Sequence, residues 1–139
     1  MELAAVPWRR ARKLARNGLA TQAELHELRL ALKHCRYALE PLTALEPDAA
    51  TRLLKRLRSC QDSLGEYRDV ELAAEWLDQQ GRALAPQFTA SLEQRLQSRR
   101  KALRRRAMDR IGSVWPAYDK WRGSVRKLTR AAMRGRPSP

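Results

Sequence analysis

The sequence predicts an all-α protein, an antiparallel helical bundle of about five to six helices, on three observations. Apolar residues recur at alternating intervals of three and four, the spacing that gathers side chains on one helix face. Helix start and stop residues fall between those stretches, and no segment shows the alternation of a strand. The 139 residues suit one core, and the breaks are short, which sets successive helices antiparallel.

The first helix is expected from about Pro7, a favourable first-turn residue, to Arg16, with Gly18 just past its end. Thr21 and Glu24 have capping-box spacing and open the helix that organises the chain, with Leu25, Leu28, Leu32, Cys35 and Leu39 on its inner face. Pro41 ends or kinks it near Glu40, and residues 42–45 add a turn. Pro47-Asp48 starts the next helix, with Asp48 as N-cap and Leu53, Leu54, Leu57, Gln61 and Leu64 facing inward. Gly65 is expected to stop it, and Asp69 to cap a fourth helix over 70–80, before Gly81. After a linker at 83–86, a long helix runs from Gln87 to a break at Pro116, and a last one covers 117–133. Residues 1–133 thus read as one helical domain and 134–139 as a disordered tail. The tryptophans Trp8, Trp76, Trp115 and Trp121 sit at apolar helical positions and are expected in the core.

Composition points to an anionic partner. Lys and Arg number 29 against 15 Asp and Glu, a net charge of +14, and 32% of residues are charged. The excess is uneven: +4 over residues 1–20, −2 over 21–90 and +12 over 91–139. Such a field steers and retains polyanions and says little about fold. Cys35 and Cys60 read as buried free thiols of a reducing compartment. No apolar run is long enough for a membrane span or a signal peptide. The basic start at 6–14 resembles a transit peptide weakly, and a cytoplasmic location is expected.

A second series runs beside the apolar seam of the organising helix: His26, Arg29, Lys33, Arg36 or Tyr37, and Glu40. At about 1.5 Å per residue its rungs are roughly 4–5 Å apart, a scale that suits phosphoryl groups along a chain. Spacing alone fits an ordinary solvated helix face slightly better. His26 has no partner for metal binding or catalysis, since His34 lies eight residues away and round the helix. Nucleophile elbows, Walker loops and Gly-rich phosphate loops are absent, so neither catalytic residues, a metal nor a cofactor is expected. Arg99-Arg100-Lys101 and Arg104-Arg105-Arg106 could hold nucleic acid phosphates, but they circle their helix and few aromatics interleave for stacking. Arg99, Arg106 and Arg110 project close to the leucines of that helix, where they either snorkel past the seam or line an anion-filled cavity.

The motif Leu25-His26-x-x-Arg29-x-x-x-Lys33-x-x-Arg36-Tyr37-x-x-Glu40, followed by Leu57, Gln61 and Leu64-Gly65-x-x-x-Asp69, resembles the conserved histidine α-helical domain, CHAD. The resemblance spans about residues 25–78 and is to the C-terminal half of a full-length domain. It implies a bacterial helical domain that binds inorganic polyphosphate in a basic groove, without known catalysis, often beside triphosphatase domains. His26, Arg29, Lys33 and Arg36 would be ligands on the groove rim. Tyr37 would be a packing and hydrogen-bonding neighbour, Glu40 an orienting partner and Asp69 a helix cap. Members usually carry two related bundles, whereas this chain has one, so it either closes its groove as a homodimer or with a second CHAD half, or is a truncated domain. His34-Cys35 replaces the commoner basic-aliphatic pair, and Pro41 directly follows Glu40.

The resulting expectation is non-catalytic polyphosphate binding, with His26, Arg29, Lys33, Arg36, Arg52, Lys55, Arg56, Arg99 and Arg106 walling the groove. Two alternatives stand beside it: a non-specific RNA-binding helical module, and an accessory domain of a triphosphate-processing enzyme.

Overall fold

The computed structural model describes residues 2–19 and 21–134. They form four α-helices: α1 (Glu2–Asn17), α2 (Gln22–Leu39), α3 (Pro47–Gln80) and α4 (Pro86–Arg134). Short 3-10 turns, Glu40–Leu45 and Gly81–Ala83, follow α2 and α3. The described residues contain no strand, and none of their helices is long and apolar enough to cross a membrane.

The early chain follows its local chemistry closely. α1 starts ahead of Pro7, which sits inside it, and Gly18 takes the left-handed φ of 82° that a residue after a helix end needs. The capping box forms in full: Glu24 N donates to Thr21 Oγ1 at 3.1 Å, and Thr21 N to Glu24 Oε2 at 3.0 Å. α2 stops at Leu39 because Pro41 cannot continue the ladder, and the chain tightens into the 3-10 turn. At the next start Glu46, not Asp48, is the cap residue. Pro47 takes the first helical position, leaving Asp48 in the first turn, where its charge favours the helix dipole.

Two expected breaks do not occur. α3 runs straight through Gly65, so Asp69 lies exposed inside a helix and caps nothing. Leu57, Cys60, Leu64 and Tyr67 are all buried, and their spacing of three and four crosses the glycine unbroken. One interior glycine destabilises a helix by about 1 kcal/mol, less than full burial of a large side chain returns. Pro116 is likewise absorbed. Ile111, Val114, Tyr118, Trp121 and Val125 continue one buried seam past it. The carbonyl that loses its partner belongs to Gly112, where no side chain crowds the adjustment. Arg134 ends α4 and does not open a tail; the remaining tail residues, 135–139, lie outside the described residues.

Those merged helices give four long elements in place of five to six. At 1.5 Å per residue α3 spans about 50 Å and α4 about 73 Å, roughly twice or more the length of α1 and α2. All four helices share one core at the end where α1 and α2 pack, and Trp8 stacks on Tyr118 there with ring centroids 4.0 Å apart. The α3–α4 hairpin projects beyond it. Between residues 68 and 102 only Leu77 and Gly81 are buried. Trp76 lies on this projection and is 57% exposed, outside the core where its apolar context placed it. Polar ties hold the hairpin: Arg100 Nη2 donates to Glu71 Oε2 at 2.9 Å, Arg106 reaches Glu66 at 3.4 Å, and Arg110 Nη1 donates to Ser59 O at 3.2 Å and to the buried Ser63.

Gly65 has nothing within 4 Å of where a Cβ would stand. Gly65→Ala should therefore raise the unfolding free energy by about 0.5–1 kcal/mol in urea titration. A loss of stability would show that the position is closed.

The two thiols give a second prediction. Burial pushes both Cys35 and Cys60 up from 9.0 to about 12; nearby Arg110 and Arg56 only partly offset this at Cys60. Both stay neutral when folded and ionise near the ordinary value when unfolded, so their contribution is complete below pH 9 and is lost as pH rises to 12. Thiol reagents at pH 8 should label neither cysteine until the chain unfolds. Rapid labelling of the native protein would contradict this burial.

Candidate functional site

The polar series on α2 lies beside its buried leucines, as helical spacing requires, and faces α3 across an open groove. A cavity of about 220 Å³ there is lined by His26, Arg29, Leu30, Lys33, Gln61 and Arg68. α2 and α3 run antiparallel, so residues of α2 meet α3 in reverse order: Arg36 reaches Gln61, while Arg68 lies further along towards the start of α2. No carboxylate lines this cavity among the described residues.

One turn further on, Arg36 is held from two sides. Its Nη1 donates to Gln61 Oε1 at 3.4 Å, and its Nε lies 3.5 Å from Glu40 Oε1. Tyr37, 48% exposed, offers its ring to two cations, with Lys33 Nζ 5.6 Å and Arg36 Cζ 5.1 Å from the centroid. Such contacts at an exposed site are worth about 0.5–1 kcal/mol, enough to bias where the two heads rest. The stripe thus alternates donors with two apolar surfaces, Leu30 in the cavity wall and Tyr37 beneath the Lys33 and Arg36 heads.

The other residues expected around the groove are elsewhere. Counted around α3 at about 100° per residue, Arg52 lies roughly 180° from Gln61, Arg56 about 140° and Lys55 about 120°. All three are exposed on the far side of α3. Arg106 is bound to Glu66, and Arg99 stands exposed on α4. Arg110, read from sequence as snorkelling or cavity-lining, tethers α4 to α3.

Arg68 was missed. It follows Gln61 by seven residues, two helical turns, and so shares its face only if α3 is continuous. The break expected at Gly65 hid that relation. Gly65 lies between them, four residues from Gln61 and three from Arg68, and leaves that part of the α3 face without a side chain.

Two larger cavities, of about 420 and 280 Å³, open on the projecting hairpin. Both are lined by Asp78 and Glu93, joined by Arg82 in the larger and Arg100 in the smaller, so neither offers the carboxylate-free wall of the α2–α3 cavity. Among the described residues no three His, Cys, Asp or Glu side chains are grouped to hold a metal ion.

The sequence profile of the CHAD domain matches residues 2–78, covering α1, α2 and nearly all of α3, and so both walls of the groove. No curated protein and no solved structure matches the chain.

Proposed function

We propose that this chain, which belongs to the CHAD domain family, binds inorganic polyphosphate in the groove between α2 and α3 and does so without catalysis. Membership sets the coarser statement, a helical domain of a family associated with triphosphate chemistry; the polyanion and the residues that hold it are our reading. The observation that carries it is the convergence of Arg29, Lys33 and Arg68 with His26 and Gln61 on one cavity free of carboxylates.

The chemistry follows from the side chains. Arg and Lys donate charge-assisted hydrogen bonds to phosphoryl oxygens, and a guanidinium can hold two oxygens at once. Arg29 and Lys33 repeat along α2 at about 6 Å, so a linear chain of phosphoryl groups laid along the helix meets a fresh cation each turn. Arg36, already fixed by Gln61 and Glu40, loses little further freedom when it binds. Every donor stands on a helix whose adjoining face is packed, which fixes the spacing better than a loop would. Arg52, Lys55, Arg56 and Arg99 act only at a distance, through the field that steers the anion in. RNA would meet the same field, but the basic run at 99–106 contains no aromatic on which bases could stack.

Long-chain polyphosphate titrated at roughly physiological salt, about 0.15 M, should bind more tightly than single-stranded RNA of equal charge. Arg29→Ala with Lys33→Ala, and separately Arg68→Ala, should each weaken polyphosphate about tenfold or more, some 1.4 kcal/mol. Arg52→Ala with Arg56→Ala should change it by roughly twofold at most. The logarithm of affinity should fall linearly with that of salt concentration, with a shallower slope in the groove variants. Unchanged affinity in the Arg29 and Lys33 variant, or equal binding of RNA, would overturn the groove reading.

A further inference from the structure

A second row of cations lies across the bundle from the α2–α3 groove. Around the shared core α1 packs on α2, α2 on α3 and α3 on α4, and the Trp8–Tyr118 stack closes the ring between α1 and α4. The α1–α4 seam is therefore on the side of the ring opposite the α2–α3 groove. Its register is fixed at three points. Trp8 meets Tyr118; one turn on, the Arg12 guanidinium stands 5.9 Å from the Trp115 ring centroid and 3.5 Å from Asp119 Oδ2. Towards the start of α1, Ala5 and Arg122 line the same small cavity of about 60 Å³. The two helices run antiparallel, and Arg122 is level with Ala5.

Helical geometry gathers four guanidiniums along this seam. On α1, Arg9 and Arg16 stand within about 60° of Arg12, which faces α4; on α4, Arg122 stands about 20° from Trp115, which faces α1. In the order Arg16, Arg12, Arg9, Arg122 they follow one another at about 4.5–6 Å of axial rise, over roughly 16 Å. That is close to the rise from Arg29 to Lys33 on α2. Two acids lie on α4 between residues 104 and 122. Asp109 is about 120° round the helix from Trp115, and Asp119, nearer the seam, is already held by Arg12. Arg9, Arg16 and Arg122 are exposed and have no carboxylate partner among the described residues. The hydroxyl of Tyr118 registers both sides of the row: burial holds it above its usual range, while the charges of Arg122 and Arg9 act against this from either helix.

We infer that the α1–α4 seam is a second polyphosphate site, so that one copy holds two strands of the polyanion on opposite faces of the bundle. The inference rests on the polyphosphate reading of the α2–α3 groove and adds to it a second place and a joining role. Guanidiniums suit the ligand because each can hold two phosphoryl oxygens, and successive arginines along the seam meet successive groups of a linear chain. Polyphosphate is favoured over nucleic acid because the seam offers bases no free ring: Trp8 and Tyr118 are buried against each other, and Trp115 is half-buried beneath Arg12. The seam is the weaker of the two sites. Asp119 repels an anion and occupies Arg12, and the three free cations stand in water, where salt screens them. Two sites that face apart cannot share one short chain, so they bind separate strands and bring them together.

Calorimetric titration with tripolyphosphate at low salt, about 0.05 M, should resolve two sites per protein. The weaker should be lost when Arg9→Gln, Arg16→Gln and Arg122→Gln are combined, with Arg12 left in place because it ties α1 to α4. Arg52→Gln with Lys55→Gln and Arg56→Gln removes the same charge from the far side of α3 and should keep both sites. All six positions are exposed, so circular dichroism should show both proteins folded. Arg29→Ala with Lys33→Ala should lose the tighter site and keep the weaker; if it keeps both while the seam variant loses one, the groove reading fails and the seam stands. Long chains labelled separately with donor and acceptor dyes should show energy transfer once the wild type is added, and the seam variant should need about tenfold more protein or worse for the same transfer. A single tripolyphosphate site in the wild type, equal losses in the seam and α3 variants, absent energy transfer, or single-stranded RNA filling the seam as readily as tripolyphosphate would overturn the proposal.

Discussion

The structure depends on the uninterrupted burial of one seam along each of α3 and α4. On α3 it passes Gly65 through Leu64 and Tyr67; on α4 it passes Pro116 through Val114 and Tyr118. Each of those local interruptions destabilises a helix by about 1 to 3 kcal/mol. Large side chains buried on both sides of the interruption outweigh it, because each contributes on the order of 1.5–3 kcal/mol that a break would forfeit. Continuity then decides everything larger. A continuous α3 sets Gln61 and Arg68 on the same face opposite α2, and a continuous α4 carries a cationic end beyond the core.

Functionally, the outcome is a separation of charge by place. The cationic groove lies inside the region that matches the family, between α2 and α3; among the described residues no carboxylate lines its cavity, and Glu40 orients Arg36. The arginines of α4 at 100, 106 and 110 serve the hairpin instead, bound to Glu71, Glu66 and Ser59. Arg100 is held above the usual guanidinium range first by its hydrogen bond to Glu71. These residues hold structure together and have less charge to offer a ligand. Part of the large positive count over residues 91–139 is therefore engaged within the molecule, and the proposed groove draws on the cations of α2 and α3.

Much of this was legible in the sequence wherever chemistry is local. Gly18, the Thr21–Glu24 box, Pro41, the buried thiols and the rim series of α2 all follow from one or two residues and their neighbours. The α2 half of the groove was legible for the same reason, since His26, Arg29 and Lys33 lie on one turn-by-turn series. What sequence did not yield was tertiary. Gly65 and Pro116 carry the marks of helix stops, and only the core they pack beside overrides them. Asp69 looked like a cap because a helix was expected to begin there. Arg52, Lys55 and Arg56 looked like groove wall because which side of α3 meets α2 is fixed by packing. Trp76 looked like core because its apolar context does not reveal that α1 and α2 stop short of it.

The central claim, that a linear polyanion lies between α2 and α3, is tested most directly by following the arginine side-chain Nε–Hε signals in NMR as polyphosphate is added. The account predicts that the signals of Arg29, Arg36 and Arg68 move first and together, while those of Arg99, Arg104 and Arg105 move late and little. Early shifts confined to the arginines of α4, with Arg29 and Arg68 unmoved, would contradict it.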